Sequence, residues 1–509
     1  MKKHSWLNKG LLLLLMAPML FFVPACTDLG EETFGIVTPD QFFKTDAEIT
    51  AALAPIYAQL RATLWSYHNL SQVSADENIV PTRGSDWFDG GRWLAIDAQT
   101  WDPGLSDLNG AWIDAYTGVA RANALLEQLE GQAGREALVA ELKTLRAFYY
   151  YILLDLFGNV PIVGDDEFVV DPNSPPSNEP RANLFNFLVS ELTSARDALP
   201  SEGDVPKGRA TKGMADALLA SLYLNAQVWT GTVTAGGLQP GGAKWAEARD
   251  AANRVITSGD YSLATNWFDN FSPGNDGSPE HIFVVQHLAA DGLGLNFPMR
   301  ALHYNQLTPS PWNGFSTIAE VYNAFDNADP RKQIFLVGQG INYQTGQNVN
   351  DRNGNPLIFT VDINNIQNAT EGEGVRILKF APDPNNVGGN GGNDYPYFRL
   401  AEMYLIRAEA KNELGDAAGA VADVNVVRAR VGVAPLAGGL SQAQVREAIF
   451  NERLFELTYE ARRRQDLVRA GRFTQAWSYK AAREPFRILM PIPQTQIDAN
   501  PNLTQNAGY

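Results

Sequence analysis

Cysteine is almost absent from this chain: Cys26 is the only one in 509 residues. A disulfide within the chain is therefore excluded, and stability must come from a buried core, for which a chain of this length is ample. Histidine is scarce as well. His4, His68, His281, His287 and His303 match no metal-ligand spacing. Basic residues are outnumbered, 40 Lys and Arg against 57 Asp and Glu, for a net charge of −17. A nucleic-acid partner wants a basic face, and this balance argues against one. No Gly-x-Ser-x-Gly elbow, phosphate-cradling loop or dinucleotide fingerprint occurs. The longest greasy run, Leu11–Val23, is interrupted by Pro18 and falls short of the ~20 residues that span a bilayer.

What that run does resemble is an export signal. Lys2, Lys3 and Lys9 precede it, and Val23-Pro24-Ala25-Cys26 follows. A basic start, a short apolar core and a small residue before the cut make a secretory signal peptide over residues 1–25. A cysteine at the cut point resembles a bacterial lipobox, in which the thiol is lipidated and becomes the new N-terminus; the alternative is a plain signal peptide with a chance cysteine. The chain is thus expected to be exported and tethered by lipid at Cys26 rather than to span the membrane. Residues 26–37, with Asp28, Glu31 and Glu32, read as a flexible tether.

The remainder, 38–509, reads as one domain: 45% hydrophobic and 19% charged residues mark a globular chain. Apolar residues recur at helical spacing in Leu53, Ile56, Tyr57 and Leu60, and again over 109–129, 135–157, 181–199, 211–228 and 244–257. After a glycine-, asparagine- and proline-rich stretch with short β-type runs at 282–285 and 357–361, helices return over 399–414, 417–430 and 441–470. Paired helices of similar length point to tetratricopeptide-like packing, although a fixed 34-residue signature is missing. The fold class is mainly α: a helix-pair scaffold over about 38–65, 108–258 and 397–509, with loop-rich regions at 66–107 and 260–396 holding a few short strands. Long loops in compact domains are usually functional, and these two are expected to sit together on the scaffold.

Four stretches carry a family resemblance: Leu145-Arg146-Ala147-Phe148-Tyr149-Tyr150 with Leu156-Phe157-Gly158-Asn159-Val160-Pro161; Arg399 to Ala410, leading to Asp423 to Arg428; Glu452 to Leu457 with Glu460, Arg463, Asp466, Leu467 and Arg469; and the tail from Pro491-Ile492-Pro493 through Asn500-Pro501 to Gln505-Asn506-Ala507-Gly508-Tyr509. Together with Cys26 they span nearly the whole chain, and it resembles the SusD/RagB family of outer-membrane nutrient-binding lipoproteins. Ala507 departs from a frequent proline. The resemblance implies four tetratricopeptide-like helix pairs, glycan capture at the cell surface, and delivery to a TonB-dependent β-barrel transporter without cleavage.

The aromatics point the same way. Eleven Trp, 17 Tyr and 25 Phe are plentiful, and a sugar's apolar C–H face stacks on such rings while Asp, Asn and Arg bond its hydroxyls. Expected glycan contacts are Trp65, Tyr67, Asp76, Asn78, Arg83, Asp86, Trp87 and Trp93 in and beside the first loop region, and Tyr304, Trp312 and Asn313 in the second. Trp87 and Trp312, set among polar residues, are the expected stacking platforms. No catalytic residue and no cofactor is assigned. Asp76-Glu77-Asn78 leaves three readings open: calcium, a sugar contact or a helix cap. Asp351-Arg352-Asn353-Gly354-Asn355 departs from the calcium-loop template and reads as a turn. Glu452, Glu456 and Glu460 recur every four residues; like charges at that spacing repel, so cationic partners are expected, with Arg428, Arg430, Arg453 and Arg463 nearby in sequence or motif, in a structural ion-pair network. The rival functions are a glycoside hydrolase on a helical scaffold, using a carboxylate pair, and a helical-repeat protein that binds peptides.

Overall fold

The computed structural model describes residues 45–164, 168, 170–171 and 173–509. The signal segment 1–25, Cys26 and the tether 26–37 lie outside the described residues.

The fold is mainly helical, as the periodicity predicts. The helices are α1 (Asp46–Val73), α2 (Arg92–Asp97), α3 (Ser106–Leu129), α4 (Glu136–Leu156), α5 (Arg181–Ala195), α6 (Lys212–Leu224), α7 (Ala226–Trp229), α8 (Trp245–Thr257), α9 (Phe297–Ala301), α10 (Ala319–Ala324), α11 (Leu400–Glu413), α12 (Ala417–Arg430), α13 (Gln442–Leu457), α14 (Arg463–Arg469) and α15 (Gln494–Ala499). Helix α1 opens with a capping box, in which Thr45 and Glu48 satisfy each other's backbone N–H. The helices pack as the pairs α1–α3, α4–α5, α6–α8 and α11–α12, and neighbouring pairs are joined through α3–α4, α5–α6 and α8–α11. Helix α4 is the centre: every residue from Thr144 to Leu156 is buried. A Cβ on Gly118 would lie 2.4 Å from the Tyr149 ring, so the glycine lets α3 and α4 approach closely. Two of the stretches that carry the family resemblance meet in space: Asn506 Nδ2 of the tail donates to the carbonyls of Phe157 and Met490, both at 2.8 Å.

Among the described residues four small antiparallel sheets complete the fold: β1 (Thr232–Thr234) with β2 (Gly237–Gln239), β3 (His281–Val285) with β8 (Tyr395–Arg399), β4 (Phe335–Leu336) with β7 (Arg376–Ile377), and β5 (Gly338–Gln339) with β6 (Ile358–Phe359). The β3–β8 pair registers His281 with Arg399 and Val285 with Tyr395. It closes the base of the long excursion between them.

Two expectations need correction. The loop region predicted from residue 66 begins later, because α1 continues to Val73; this last part is buried all round, so no apolar stripe marks it. The helix expected over 441–470 is broken between α13 and α14, where Tyr459 (φ 64°) and Ala461 (φ 56°) turn the chain left-handed. Glu460 is therefore not on the helix face of Glu452 and Glu456.

The three carboxylates nevertheless meet one buried network. Arg331 Nη1 stands 2.7 Å from Glu452 and 2.9 Å from Glu456, and Arg428 reaches Glu452 at 2.8 Å. Arg399 bonds Glu280, Glu456 and Glu460, Arg430 bonds Glu280 and Glu456, and Lys379 bonds Glu460. The expected partners Arg453 and Arg463 lie elsewhere, on Asp466 and Asp76.

Candidate functional site

The two loop regions form one body. Ile79 and Ser316 exchange backbone hydrogen bonds at 2.8 and 2.9 Å, and Thr82 N–H donates to the Ile366 carbonyl at 2.9 Å. Just before that seam, the backbone N–H groups of Gly314 and Phe315 donate to the Arg300 carbonyl, and that of Trp312 to Met299. The chain from 299 to 315 thus folds back on α9, and Arg300 reaches Trp65 and Asn69 in the C-terminal half of α1.

Trp65 is the exposed ring of this face, at 39% relative accessibility. The Arg300 guanidinium lies 3.5 Å from its ring centroid, and 4.4 Å and 5.3 Å from those of Phe297 and Phe315. Cation–π stacking is worth about 0.5–1 kcal/mol at exposed sites and about 2 kcal/mol when desolvated, and here the cation is buried while the ring keeps one open face. Arg300 is fully buried; its Nη1 donates to Asn69 Oδ1 at 2.8 Å. Burial pulls its pKa down to about 9, which leaves it charged at neutral pH. The open side of Trp65 lines a cleft of about 400 Å³ with Arg61, His287, Leu293, Asn296 and Asn390.

Trp87 and Trp312 are coupled. Trp87 is half-buried, has a left-handed backbone (φ 64°), and its Nε1–H donates to the Trp312 carbonyl at 2.6 Å. Its ring meets Trp93 and Phe315, each 5.6 Å away between centroids. A Cβ on Gly314 would fall 2.3 Å from it. Trp87 is therefore a wedge that holds the Trp312 loop, rather than the free platform expected.

A second, polar cluster rims a cleft of about 510 Å³. Tyr304 O–H donates to Asp86, which also pairs with Arg352 at 3.1 Å; Arg352 bonds Glu371, and His303 Nε2 stands 2.9 Å from Glu371. The Arg352 guanidinium lies 4.0 Å from the Tyr304 centroid. Partial burial would raise the Glu371 carboxyl, but the Arg352 N–H, His303 and the Arg352 guanidinium outweigh it and hold its pKa at about 2. Asp351 Oδ1 accepts from the N–H groups of Asn353 and Asn355, so this segment is the turn expected.

Four expected contacts lie in the interior and offer a sugar no face, Tyr67, Asn78, Trp93 and Asn313, while Arg83 is buried in the wall of the 510 Å³ cleft. Tyr67 points from α1 toward the core, where its hydroxyl donates to Asp155 at 3.0 Å. Arg83 donates to the Thr370 and Glu373 carbonyls and to Ser316. Trp93 Nε1–H is taken by Asp89 at 2.8 Å, and Asn313 Oδ1 by Arg376 at 2.9 Å. Asp76 spends both carboxylate oxygens on Arg463, and Glu77 accepts from Gln72 and Thr458. Asp76 and Glu77 therefore tie the chain after α1 to the start of α14 and the segment before it instead of capping a helix. Among the described residues no group of three or more His, Cys, Asp and Glu could hold a metal ion. Trp65, Asp86, Trp87, Tyr304 and Trp312 remain at the surface. The sequence reading passed over Arg61, one turn before Trp65 on α1, and Asn296, Arg352 and Glu371. Only Arg61 had a signal, its i,i+4 spacing from Trp65.

A carboxylate pair for glycoside hydrolysis needs one acid kept protonated. Asp86 and Glu371 are both clamped by Arg352. The described carboxyls that burial pushes up, Glu77, Asp97, Asp114 and Asp394, line neither cleft.

Residues 37–224 match a family model described as "Starch-binding associating with outer membrane", and residues 241–509 match one described as "SusD family". The starch-binding protein SusD of Bacteroides thetaiotaomicron is 27% identical over 469 residues, which cover 81% of each chain. SusD-like protein P25 of Formosa agariphila is 25% identical over 554 residues, 96% of this chain and 98% of that one. Among solved structures, a laminarin-binding SusD-like protein superposes with a TM-score of 0.71 at 25% identity, over 92% of this chain and 100% of the other. A SusD-like protein from Bacteroides fragilis does so with a TM-score of 0.75 at 21% identity, over 92% and 98%, a likeness of fold alone. With its second model alone spanning more than half of the residues, the chain belongs to the SusD family.

Proposed function

We propose that this protein captures oligo- or polysaccharide at the surface of the outer membrane, held there by lipid on Cys26, and hands it to a TonB-dependent β-barrel transporter. The observation that carries the binding role is the indole of Trp65, set on a buried guanidinium and open to a cleft with polar side chains at its edge. Relatives named for starch and laminarin binding support a sugar as the occupant. The role is binding without cleavage, and no cofactor takes part. Delivery follows from need: among the described residues no helix is long and apolar enough to cross a membrane, so a captured ligand has to pass to another protein.

Native gel electrophoresis of the soluble protein through polysaccharide, with and without EDTA, tests capture: retardation without released sugar, indifferent to EDTA, is expected. Released reducing ends would establish the hydrolase reading instead. For the anchor, Cys26→Ala should abolish lipidation and membrane retention; a free Cys26 thiol in the membrane-bound protein would refute it. For delivery, mild-detergent purification should recover a β-barrel, and its deletion should stop uptake while leaving surface binding.

A further inference from the structure

The Trp65 cleft does not end at Trp65. A second cleft of about 340 Å³ adjoins it and shares Ala58 and Arg61; Thr50, Tyr57, Arg209 and Gln286 are among its walls. The two run along α1 from Thr50 to Trp65, about 22 Å of helix at 1.5 Å per residue. That length suits a chain of several sugars.

The charge along this groove is unlike that of the rest of the molecule. Acidic residues exceed basic ones by 57 to 40, yet neither lining contains an Asp or Glu. Asp291 stands at the rim, exposed, and lines neither cleft. The arginines here are also handled differently. Arg209 is neutralised by Glu141, whereas Arg61 is half-buried and donates to the Gln286 carbonyl at 3.1 Å. Among the described residues no carboxylate pairs with Arg61 or with Arg300. Arg300 is buried beneath Trp65 with Nε and Nη2 lacking any hydrogen-bond partner. A buried cation without a counter-charge is costly, and an anion above Trp65 would relieve it. Asn296, Asn390 and Gln286 can serve sugar hydroxyls of either kind, but a neutral glycan would leave these two cations without a counter-charge.

We propose, resting on the glycan-capture reading, that the α1 groove takes an acidic glycan, with a uronate carboxylate or sulfate ester of the sugar on Trp65 paired to Arg61 above Arg300. Arg61 and Trp65 sit at i and i+4, a Cβ separation of about 6 Å. One sugar ring can therefore stack on the indole and still reach the guanidinium.

Affinity electrophoresis of the soluble protein provides the test, with three arms: carboxylated (polygalacturonate, alginate), sulfated (carrageenans) and neutral polysaccharides (starch, laminarin, mannan, xylan). An acidic arm should bind at least tenfold more tightly than the neutral one. The preference should shrink with salt, as the Debye length falls from about 10 Å at 0.1 M to about 3 Å at 1 M. Arg61→Gln, on a half-exposed residue, should erase the preference, and Arg61→Lys should keep part of it. The winning acidic arm identifies carboxylate or sulfate. Binding by neutral glycans alone, or an acidic preference that survives Arg61→Gln, overturns the proposal while leaving glycan capture standing. If no arm is retarded, capture itself fails.

Discussion

Arg331 Nη1 lies 2.9 Å from Glu456 Oε2 across 125 residues of chain, and both side chains are wholly removed from water. Glu456 also receives Arg399, Arg430 and the Trp267 indole N–H. Glu456→Ala leaves these cations without their shared counter-ion, and breaking such a buried set costs about 3–5 kcal/mol. Urea denaturation should show that loss, with glycan affinity of the folded protein unchanged. A variant as stable as the parent would mean that the carboxylate serves the ligand instead.

Stability should fall as pH drops below about 6.5. Burial lowers the pKa of His68 and His303, and takes His281 and His287 to about 3. Between the unfolded value near 6.5 and those folded values, the unfolded chain binds more protons, so acid favours it. Glu77 and Asp394, which burial raises to about 7, and Asp97 and Asp114, which burial also raises, have the opposite sign and offset part of the loss. Below about 4.5 the decline should steepen. There Glu456, Glu460 and Asp466, whose burial is outweighed by surrounding Arg and Lys charges and whose pKa values are therefore depressed, start to lose their pairs. Thermal melts at pH 7.5, 5.5 and 4 check the order; a higher melting temperature at pH 5.5 than at 7.5 would contradict it.

Trp65→Ala and Trp87→Ala should separate binding from stability. Losing the Trp65 platform should weaken glycan binding by roughly 1–3 kcal/mol, on the scale of base–aromatic stacking, with little change in melting. Trp87→Ala opens a hole beside Trp93 and Phe315 and should cost about 3–5 kcal/mol of stability. Calorimetric titration together with melts of both variants reads the two effects; the reverse pattern would place the sugar on Trp87.

Gly314→Ala places a methyl 2.3 Å from the rigid Trp87 ring. Overpacking of this kind costs about 1–3 kcal/mol, and the Trp87–Trp312 hydrogen bond should break. Quenching or a red shift of indole fluorescence, with a lower melting temperature, is expected; unchanged spectra would show that the loop yields freely.

The helix pairs were legible because each buries a stripe, and Leu53, Ile56, Tyr57 and Leu60 display theirs at three-and-four spacing. The end of α1 was not, since Ser66, His68, Asn69, Ser71 and Gln72 are polar residues that other segments cover. Nor was the break before α14, where Tyr459 and Ala461 take the left-handed backbone without any glycine. The repulsive spacing of Glu452 and Glu456 announced that cations must come, and Arg428 and Arg430 were near enough to name. Arg331 and Lys379 arrive from distant loops, a fact that only the packed chain contains. At the candidate site the residue types were right more often than the directions. Tyr67 is two places beyond Trp65, about 200° around the helix, and so points inward. Arg300 carried no local sign of its place under the indole.

The β3–β8 clasp makes residues 286–394 a cassette that enters and leaves the scaffold at neighbouring strands. Such a segment can be replaced as a unit, subject to one toll. The scaffold keeps Glu452, Glu456 and Glu460 in its interior, and two of the cations that neutralise them, Arg331 and Lys379, travel with the cassette. A transplanted segment that brings new loops against α1 but lacks these two charges would arrive with a recognition surface and no stable protein beneath it.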